Sequence, residues 1–363
     1  MAAELPIRRN VALGPLTTLG VGGLAQWFVD VTTVDEIAQA CRWASERGLP
    51  LTVLGGGSNV VIHDAGVAGL VARVRIVGRT LRWAGDVLEV QSGAGEAWDA
   101  LVEACVGEGA WGLEGLSGIP GTVGATPVQN VGAYGQDVSQ TITSVLVVDR
   151  EQGEPARLGT AACAFGYRDS RFRSKDRDRY IIAGVTFQLH RGRPRSLYPE
   201  VERILGGASG EISPAAVRQA VLTLRRAKGM VVESGVADSR SVGSFFVNPV
   251  IAAQQADALA AQAPGIELPR YPAGAGFVKV PAAWLIERAG WFRGGARGPV
   301  GLSTRHTLAL VNRGGATADD VVELAVAIKR AVQEQCGVAL CAEPVFLGFM
   351  ADARVAFLKG TES

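Results

Sequence analysis

The segment from Gly115 to Gly135, GLSGIPGTVGATPVQNVGAYG, constrains this chain most, because six glycines fall in it, at 115, 118, 121, 124, 132 and 135. Such a run neither packs a helix well nor stiffens a strand. Its backbone can approach another group closely and take positive φ where a turn needs it. Successive amide N–H groups in a loop of this kind form concave nests that hold phosphate oxygens. An uncharged stretch of this density, carrying Ser117, Thr122 and Asn130, reads as a cradle for a large phosphorylated cofactor. Taken alone, it also fits a glycine-rich surface loop. The three-residue glycine spacing imitates collagen only from 115 to 124 and then stops.

Composition narrows the class. The chain has 363 residues, too many for one ordinary core and enough for two or three domains. Hydrophobic residues are 48% and charged ones 20%, a globular balance. A net charge of +1 argues against broad electrostatic binding to nucleic acid or to a membrane surface. No apolar run approaches the length of a membrane span, and MAAELPIRRN lacks the apolar core of a signal peptide. The cysteines, at 41, 105, 163, 336 and 341, show no metal-binding spacing, and His63, His190 and His306 are scattered. These features point to a cytoplasmic enzyme with no structural metal. Cys41 and Cys105 lie on apolar helix faces and read as core residues.

Periodicity sketches the organisation. Ala25–Val31 reads as a strand, and Thr33 with Glu36 forms a T-x-x-E capping box ahead of a helix carrying Val34, Ile37, Cys41 and Ala44. Leu51–Leu54 and Val60–Ile62 are short apolar strands flanking Gly55-Gly56-Gly57-Ser58-Asn59, so a β-α-β unit spans about residues 15–72. Leu81–Trp83 and Val87–Gln91 read as a hairpin, Trp98–Glu108 as a helix, and Ser144–Asp149 and Tyr180–Leu189 as strands. Ser213-Pro214 opens a helix as N-cap and first-turn proline. From Gly229 the character changes. Met230–Ser241 reads as an exposed loop, with helices near Ala252–Gln262 and Pro281–Ala289. A long helix, Ala318–Gln335, is capped by Thr317 and Asp320, and Val338–Phe349 reads as a returning strand that carries Glu343.

Several short motifs carry chemistry. Gly20-Val21-Gly22-Gly23-Leu24-Ala25 satisfies a dinucleotide G-x-G-x-x-A pattern, but strand-like residues follow it where a helix is required, so it reads as a turn. The Gly55–Asn59 loop, paired with the longer glycine segment, suggests two loops gripping one pyrophosphate. In Gly166-Tyr167-Arg168-Asp169-Ser170-Arg171, a guanidinium beside a phenol can stabilise developing negative charge; the hexamer alone also fits an exposed basic turn. Ser244, in Gly243-Ser244-Phe245-Phe246-Val247-Asn248-Pro249, lacks the elbow of a hydrolase nucleophile but can donate a proton if its conjugate charge is supported. Glu343 lies in LCAEPVFLGF, where a carboxyl is either a satisfied core group or a functional one, and spacing leaves both open.

In this order, GGGSN, GLSGIPGTVGATPVQNVGAYG, YRDSRF, GSFFVNP and a late apolar-flanked Glu resemble the UDP-N-acetylenolpyruvoylglucosamine reductases, the MurB family, from about Leu13 to Gly348. The resemblance implies an α+β chain, with a two-part FAD-binding fold of the vanillyl-alcohol-oxidase (PCMH) type plus a smaller α+β substrate-binding domain. Its implied parts are residues 1–72 and 73–228 for the FAD-binding subdomains, 229–342 for the substrate-binding domain, and 343–363 for a strand and tail returning to the active site. The implied activity is NADPH-dependent, FAD-mediated reduction of the enolpyruvyl ether of UDP-N-acetylglucosamine to UDP-N-acetylmuramate in peptidoglycan synthesis. Cell-wall biogenesis, and through it cell shape, cell cycle and division, depend on that step. Hydride passes from reduced flavin to the β-carbon, and a proton to the α-carbon. A monomer acting on NADPH and a UDP-sugar is expected, with no nucleic-acid partner and no membrane insertion.

Carried onto this sequence, the family's proton donor falls on Ser244, its active-site arginine on Arg168 and its C-terminal glutamate on Glu343. Substrate contacts fall on Tyr167, Lys228 and Asn248, and loosely on His306. Tyr198, in Ser196-Leu197-Tyr198-Pro199, stands where the longer family form has a tyrosine loop that closes over substrate. FAD contacts fall on Gly55, Gly56, Gly57, Ser58, Asn59, Ser117, Gly118, Ile119, Gly121, Thr122, Gly124, Ala125 and Asn130. Two positions depart from the family: Cys341, often an acid, and Val247, often a lysine. Two rival readings are another FAD-linked oxidoreductase of this fold, which leaves GSFFVNP unexplained, and a non-catalytic nucleotide-sugar binder, which needs no Arg, Ser and Glu beside two phosphate cradles.

Overall fold

The computed structural model describes residues 4–192, 197–206, 212–233, 235–263 and 265–361. The chain passes back and forth between two units. The first comprises Met1–Val11, Ala25–Gly57 and Val67–Val231; the second comprises Ala12–Leu24, Ser58–Gly66 and Val232–Ser363.

In the first unit, β1 (Arg8–Ala12), β2 (Leu24–Val31), α1 (Val34–Glu46) and β3 (Leu51–Leu54) open the chain. It leaves as β4 (Val60–Ile62) and returns as β5 (Val67–Val74). The sheet order is β1-β2-β5-β3, with β5 parallel to both β2 and β3. The capping box starts α1 as expected: Glu36 N donates to Thr33 Oγ1 at 3.1 Å, and Thr33 N to Glu36 Oε2 at 3.2 Å. A cap of this kind is worth about 1 kcal/mol. It sets the phase that buries Ile37, Ala40, Cys41 and Ala44 along one face.

A second sheet follows in the same unit. The elements along this stretch are β6 (Arg79–Ala84), β7 (Val87–Gly93), α2 (Trp98–Gly107), the separate small hairpin β8 (Gly132–Ala133) and β9 (Gln136–Asp137), β10 (Ile142–Asp149), β11 (Pro155–Gly159), α3 (Thr160–Cys163) and β12 (Tyr180–His190). The order β11-β10-β12-β7-β6 is antiparallel throughout. Trp98 is fully buried against Phe187, with ring centroids 5.9 Å apart, and its Nε1 donates to Leu116 O at 3.1 Å. One core residue thereby anchors the start of the glycine segment. Then come α4 (Pro199–Leu205) and α5 (Pro214–Ala227), the latter capped by Ser213 Oγ, which accepts from Ala216 N at 3.2 Å. Ser196 lies outside the described residues.

The second unit contains β13 (Ser241–Ser244), β14 (Val250–Ala252), α6 (Ala253–Ala261), β15 (Tyr271–Pro272), β16 (Phe277–Lys279), α7 (Ala282–Arg288), β17 (Ala296–Arg297), β18 (Val300–Leu302), β19 (Ala309–Asn312), α8 (Ala318–Cys336), β20 (Val345–Leu347) and α9 (Ala353–Lys359). Two antiparallel sheets run β13-β19-β18-β17 and β14-β16-β15. The long helix buries Val321, Leu324, Ile328 and Val332, as its spacing requires.

Three sequence expectations change here. The Val60–Ile62 strand does not join the β-α-β sheet; it pairs in parallel with β20 in the second unit. The expected strand Val338–Phe349 shrinks to Val345–Leu347, because Pro344 has no amide to donate to a ladder. Glu343 therefore precedes the strand, and its N–H goes to Phe245 O at 2.9 Å. The expected exposed loop Met230–Ser241 buries Asp238, Ser239 and Ser241, since Asp238 accepts from Thr304 N at 3.2 Å and from its hydroxyl at 2.5 Å.

Candidate cofactor cradle and active-site residues

In the first unit the two glycine loops touch. A Cβ at Gly56 would sit 2.8 Å from Gly121 Cα and 3.2 Å from Thr122 N, and one at Gly55 would sit 2.9 Å from Thr122 Oγ1. Only bare backbone allows that approach. Gly57, Gly118 and Gly121 take φ of 64°, 71° and 117°, which side-chain-bearing residues rarely adopt.

Several amides of the long segment are already used by the protein, which narrows the expected anion nest. Gly115 N donates to Gln136 Oε1 at 2.7 Å, Gly118 N to Asp99 Oδ1 at 2.5 Å, and Gly124 N to Ala94 O at 2.9 Å. Ser117 is fully buried and donates to Glu114 O at 2.6 Å. Ala125 N returns to Thr122 O at 3.0 Å in a 3₁₀ turn. Between these anchors lie Ile119, Gly121 and Thr122, of which Gly121 and Thr122 face Gly55 and Gly56. The unit boundary falls within the first loop, so Ser58 and Asn59 belong to the second unit, where Asn59 O accepts from Val345 N at 3.0 Å.

The supports of the cradle were not visible in the sequence. Asp99 on α2 receives both Nη atoms of Arg218 on α5, at 2.6 and 2.9 Å, besides the Gly118 amide. Burial pushes the Asp99 carboxyl up, but the Arg218 and Gly118 hydrogen bonds and the charges of Arg218 and Arg225 outweigh it and hold it below the ordinary aspartate value. Glu114, fully buried, accepts from Gly112 N and Gln136 Nε2, both at 2.7 Å. No local spacing links residues as distant in sequence as 99 and 218; only the partly helical pattern of each was legible.

Beyond the cradle, the Tyr167-Arg168 turn is stitched to the glycine segment. Gly166 and Asp169 exchange backbone hydrogen bonds at 2.9 and 3.3 Å, so Tyr167 and Arg168 form a two-residue turn. Arg168 takes φ 54°, a left-handed conformation that costs about 1–2 kcal/mol without glycine. The stitches that hold it are Asn130 Nδ2 to Gly166 O at 3.0 Å, Arg168 Nη2 to Gly132 O at 2.7 Å, Ser170 Oγ to Val128 O at 2.6 Å, and Arg173 Nη1 to Gln129 Oε1 at 2.9 Å. Asn130 holds the arginine turn in place, with its Oδ1 accepting from Ser139 N at 3.1 Å. Strain concentrated at such a residue marks functional sites.

The same unit gathers Lys228, Tyr198 and Tyr134. Lys228 Nζ donates to Glu200 Oε2 at 3.1 Å, and the Tyr134 and Tyr198 rings meet edge to face at 5.6 Å. The two tyrosines, with Glu114, Gln136 and Gln140, line a cavity of about 270 Å³. Burial pushes the Tyr134 phenol up to about 12, so it stays a proton-bearing donor at neutral pH. The GAYG motif contained this residue, but only its fold neighbours mark it.

In the second unit Ser244 ends β13 at a bulge. The register slips between Ser241 and Ser244, Gly243 takes φ 73°, and Ser244 pairs with Ala309. A bulge re-aims the side chain that follows it. Phe245 and Phe246 are fully buried, and Phe245 packs against Phe346 at 6.3 Å, which clamps the chain just after the serine. Phe246 bridges Ala342, so the backbone of Glu343 runs beside Phe245, one residue from Ser244. His306 lies in the turn between β18 and β19, its carbonyl accepting from Ala309 N at 3.2 Å. Asn248 Oδ1 accepts from Ala282 N at 2.9 Å and so fixes the start of α7.

Comparison with known proteins covers nearly the whole chain. Residues 25–159 match an FAD binding domain, and residues 235–347 match the C-terminal domain of UDP-N-acetylenolpyruvoylglucosamine reductase. The UDP-N-acetylenolpyruvoylglucosamine reductase of Thermobifida fusca is 48% identical over 94% of this chain and 98% of its own length. That of Salinispora arenicola is 46% identical over 92% of this chain and 94% of its own. The chain belongs to the UDP-N-acetylenolpyruvoylglucosamine reductase family. The crystal structure of the MurB reductase from Thermus caldophilus agrees, with a TM-score of 0.64 at 27% identity over 95% of this chain and 99% of that one. Like its family, the chain is a flavin-dependent oxidoreductase with a two-part FAD-binding fold and a smaller α+β domain. Among the described residues, no helix is long and apolar enough to cross a membrane, and no cluster of metal-binding side chains occurs.

Proposed function

We propose that the chain catalyses the NADPH-dependent reduction of the enolpyruvyl ether of UDP-N-acetylglucosamine to UDP-N-acetylmuramate, a step of peptidoglycan precursor synthesis. The observation that carries the reading is the stitching of the Arg168 turn to the glycine segment by Asn130, Gly132 and Val128. It fixes a guanidinium at the end of the cofactor cradle. The cradle itself suits FAD: two bare-backbone loops in contact, uncharged, with Gly121 and Thr122 opposite Gly55 and Gly56 and Ile119 beside them in the chain. Gly57, Ser58, Asn59, Ser117, Gly118, Gly124, Ala125 and Asn130 shape or support it. Bound FAD supplies the redox chemistry, accepting reducing equivalents from NADPH and delivering them to the β-carbon of the substrate.

The chain's own residues do the rest. Arg168 stabilises the negative charge that builds on the substrate carboxylate as the double bond is reduced. Ser244, aimed by the bulge, delivers the proton to the α-carbon. Glu343 orients the reacting group. Lys228 and Tyr198 hold the phosphates, with Tyr167, Asn248 and His306 as further substrate contacts, and the second unit takes the substrate-binding role. The test is anaerobic: NADPH bleaches the flavin, and the enolpyruvyl UDP-sugar restores its absorbance. Reduced enzyme indifferent to that substrate would refute the proposal.

A further inference from the structure

Helices α4 and α5 meet in the first unit over a small core of Trp111, Val201, Leu205, Val217 and Val221. Where α5 ends, the Lys228 ammonium donates to Glu200 Oε2 in the first turn of α4, at 3.1 Å. The Tyr134 ring lies 5.7 Å from the same nitrogen, and Tyr198, two residues before Glu200, rests against Tyr134 at 5.6 Å. The cation assigned above to substrate phosphate already holds an anion of its own chain.

We propose that Glu200 is an affinity-determining residue that stands in for phosphate on Lys228, so that a nucleoside diphosphate must displace it to bind. The inference rests on the reading of Lys228 as a phosphate contact. An ammonium is a compact point charge with three donors, and a carboxylate and a phosphate compete for the same face of it. The Lys228 and Glu200 side chains are 36% and 38% exposed, so a ligand reaches the pair without opening the core. A diphosphate carries more charge than a carboxylate and wins the exchange. Exposed ion pairs are weak, which keeps the handicap modest, about two- to fivefold in affinity. Because Tyr198 and Glu200 share the start of α4, the pair also holds the Tyr198 ring against Tyr134 until a ligand takes the lysine.

The test is calorimetric titration of UDP into the FAD-loaded protein at low ionic strength, with Glu200→Gln, Lys228→Met and the double variant beside the parent. Glu200→Gln is expected to bind UDP about two- to fivefold more tightly, and the gain is expected to shrink in high salt. In the Lys228→Met background the same substitution is expected to change nothing. UDP affinity unchanged or weakened by Glu200→Gln, with Lys228→Met still harmful, overturns the displacement alone and leaves Lys228 in the site. Tightening that survives in the Lys228→Met background also overturns it, since the effect is then general charge. Indifference to Lys228→Met removes the lysine from the nucleotide site and takes both readings with it.

Discussion

Asp99→Ala tests whether the cradle depends on its hidden strut. The substitution removes the acceptor of the Gly118 amide and of both Arg218 Nη atoms. Arg218 is 8% exposed, and its nearest other carboxylate is Glu103 at 3.7 Å, itself 72% exposed. Stranding a buried charge costs about 3–5 kcal/mol, and an orphaned amide about 1–3 kcal/mol. The Asp99 side chain is 38% exposed, so water screens part of the pair and the expected loss is about 2–4 kcal/mol. For a unit of about 200 residues, that lowers its melting temperature by roughly 5–15 °C. Calorimetry of the apoprotein reads the loss. The double variant Asp99→Ala/Arg218→Met is expected to lose less than Asp99→Ala alone, because no charge is left stranded. The acid side gives a second check. A carboxyl held below 3.8 contributes stability that is intact above 3.8 and fades only as pH falls through the lowered value. The gap between parent and Asp99→Ala is therefore expected to stay constant from about pH 7 down to about pH 4. A loss under about 0.5 kcal/mol, or a double variant worse than the single, would refute the strut.

The other predictions concern the loaded enzyme. The purified protein is expected to be yellow, releasing FAD on denaturation; protein that stays colourless after reconstitution contradicts the cradle. Gly56→Ala, which places a methyl against unyielding Gly121 backbone, is expected to weaken FAD binding about tenfold or more, while Gly107→Ala, with open space around it, leaves flavin affinity unchanged. Ser244→Ala is expected to keep FAD and normal reduction by NADPH but slow reoxidation by substrate about 10²–10⁴-fold, with Ser244→Cys recovering part; rapid-mixing absorbance separates the halves. Tyr198→Phe is expected to weaken substrate binding and spare flavin reduction; collapse of the reduction step instead would assign Tyr198 to the cofactor.

What the sequence made legible was local. The Thr33–Glu36 and Thr317–Asp320 boxes, the Ser213-Pro214 start and the hairpin at Ala84-Gly85-Asp86 depend on neighbours within a few residues, and each is where the spacing put it. The motif order carried the family and the cofactor. What stayed hidden depends on chain distance. Val60–Ile62 is apolar whether it pairs with β3 or with β20, so its alternation could not name its partner. The structural bonds of Asn130 and Asn248 were hidden as well: Asn130 fastens Gly166 and Asn248 starts α7, contacts that no motif spacing shows. Arg218 sat among the polar positions of an amphipathic helix until the fold set it on Asp99.

The pairing of β4 with β20 has a consequence for how the second unit is made. Val60 to Ile62 leave the ribosome far ahead of their ladder partners, Val345 to Leu347. The core of this unit also draws Leu19, Val21 and Val61 from the first part of the chain. These apolar residues stay unsheltered while the long intervening chain is made, the interval in which chaperones act and aggregation competes. A gene cut cleanly at Val232 would therefore not yield a stable second unit. Supplying residues 12–24 and 58–66 by circular permutation would be the way to obtain it alone.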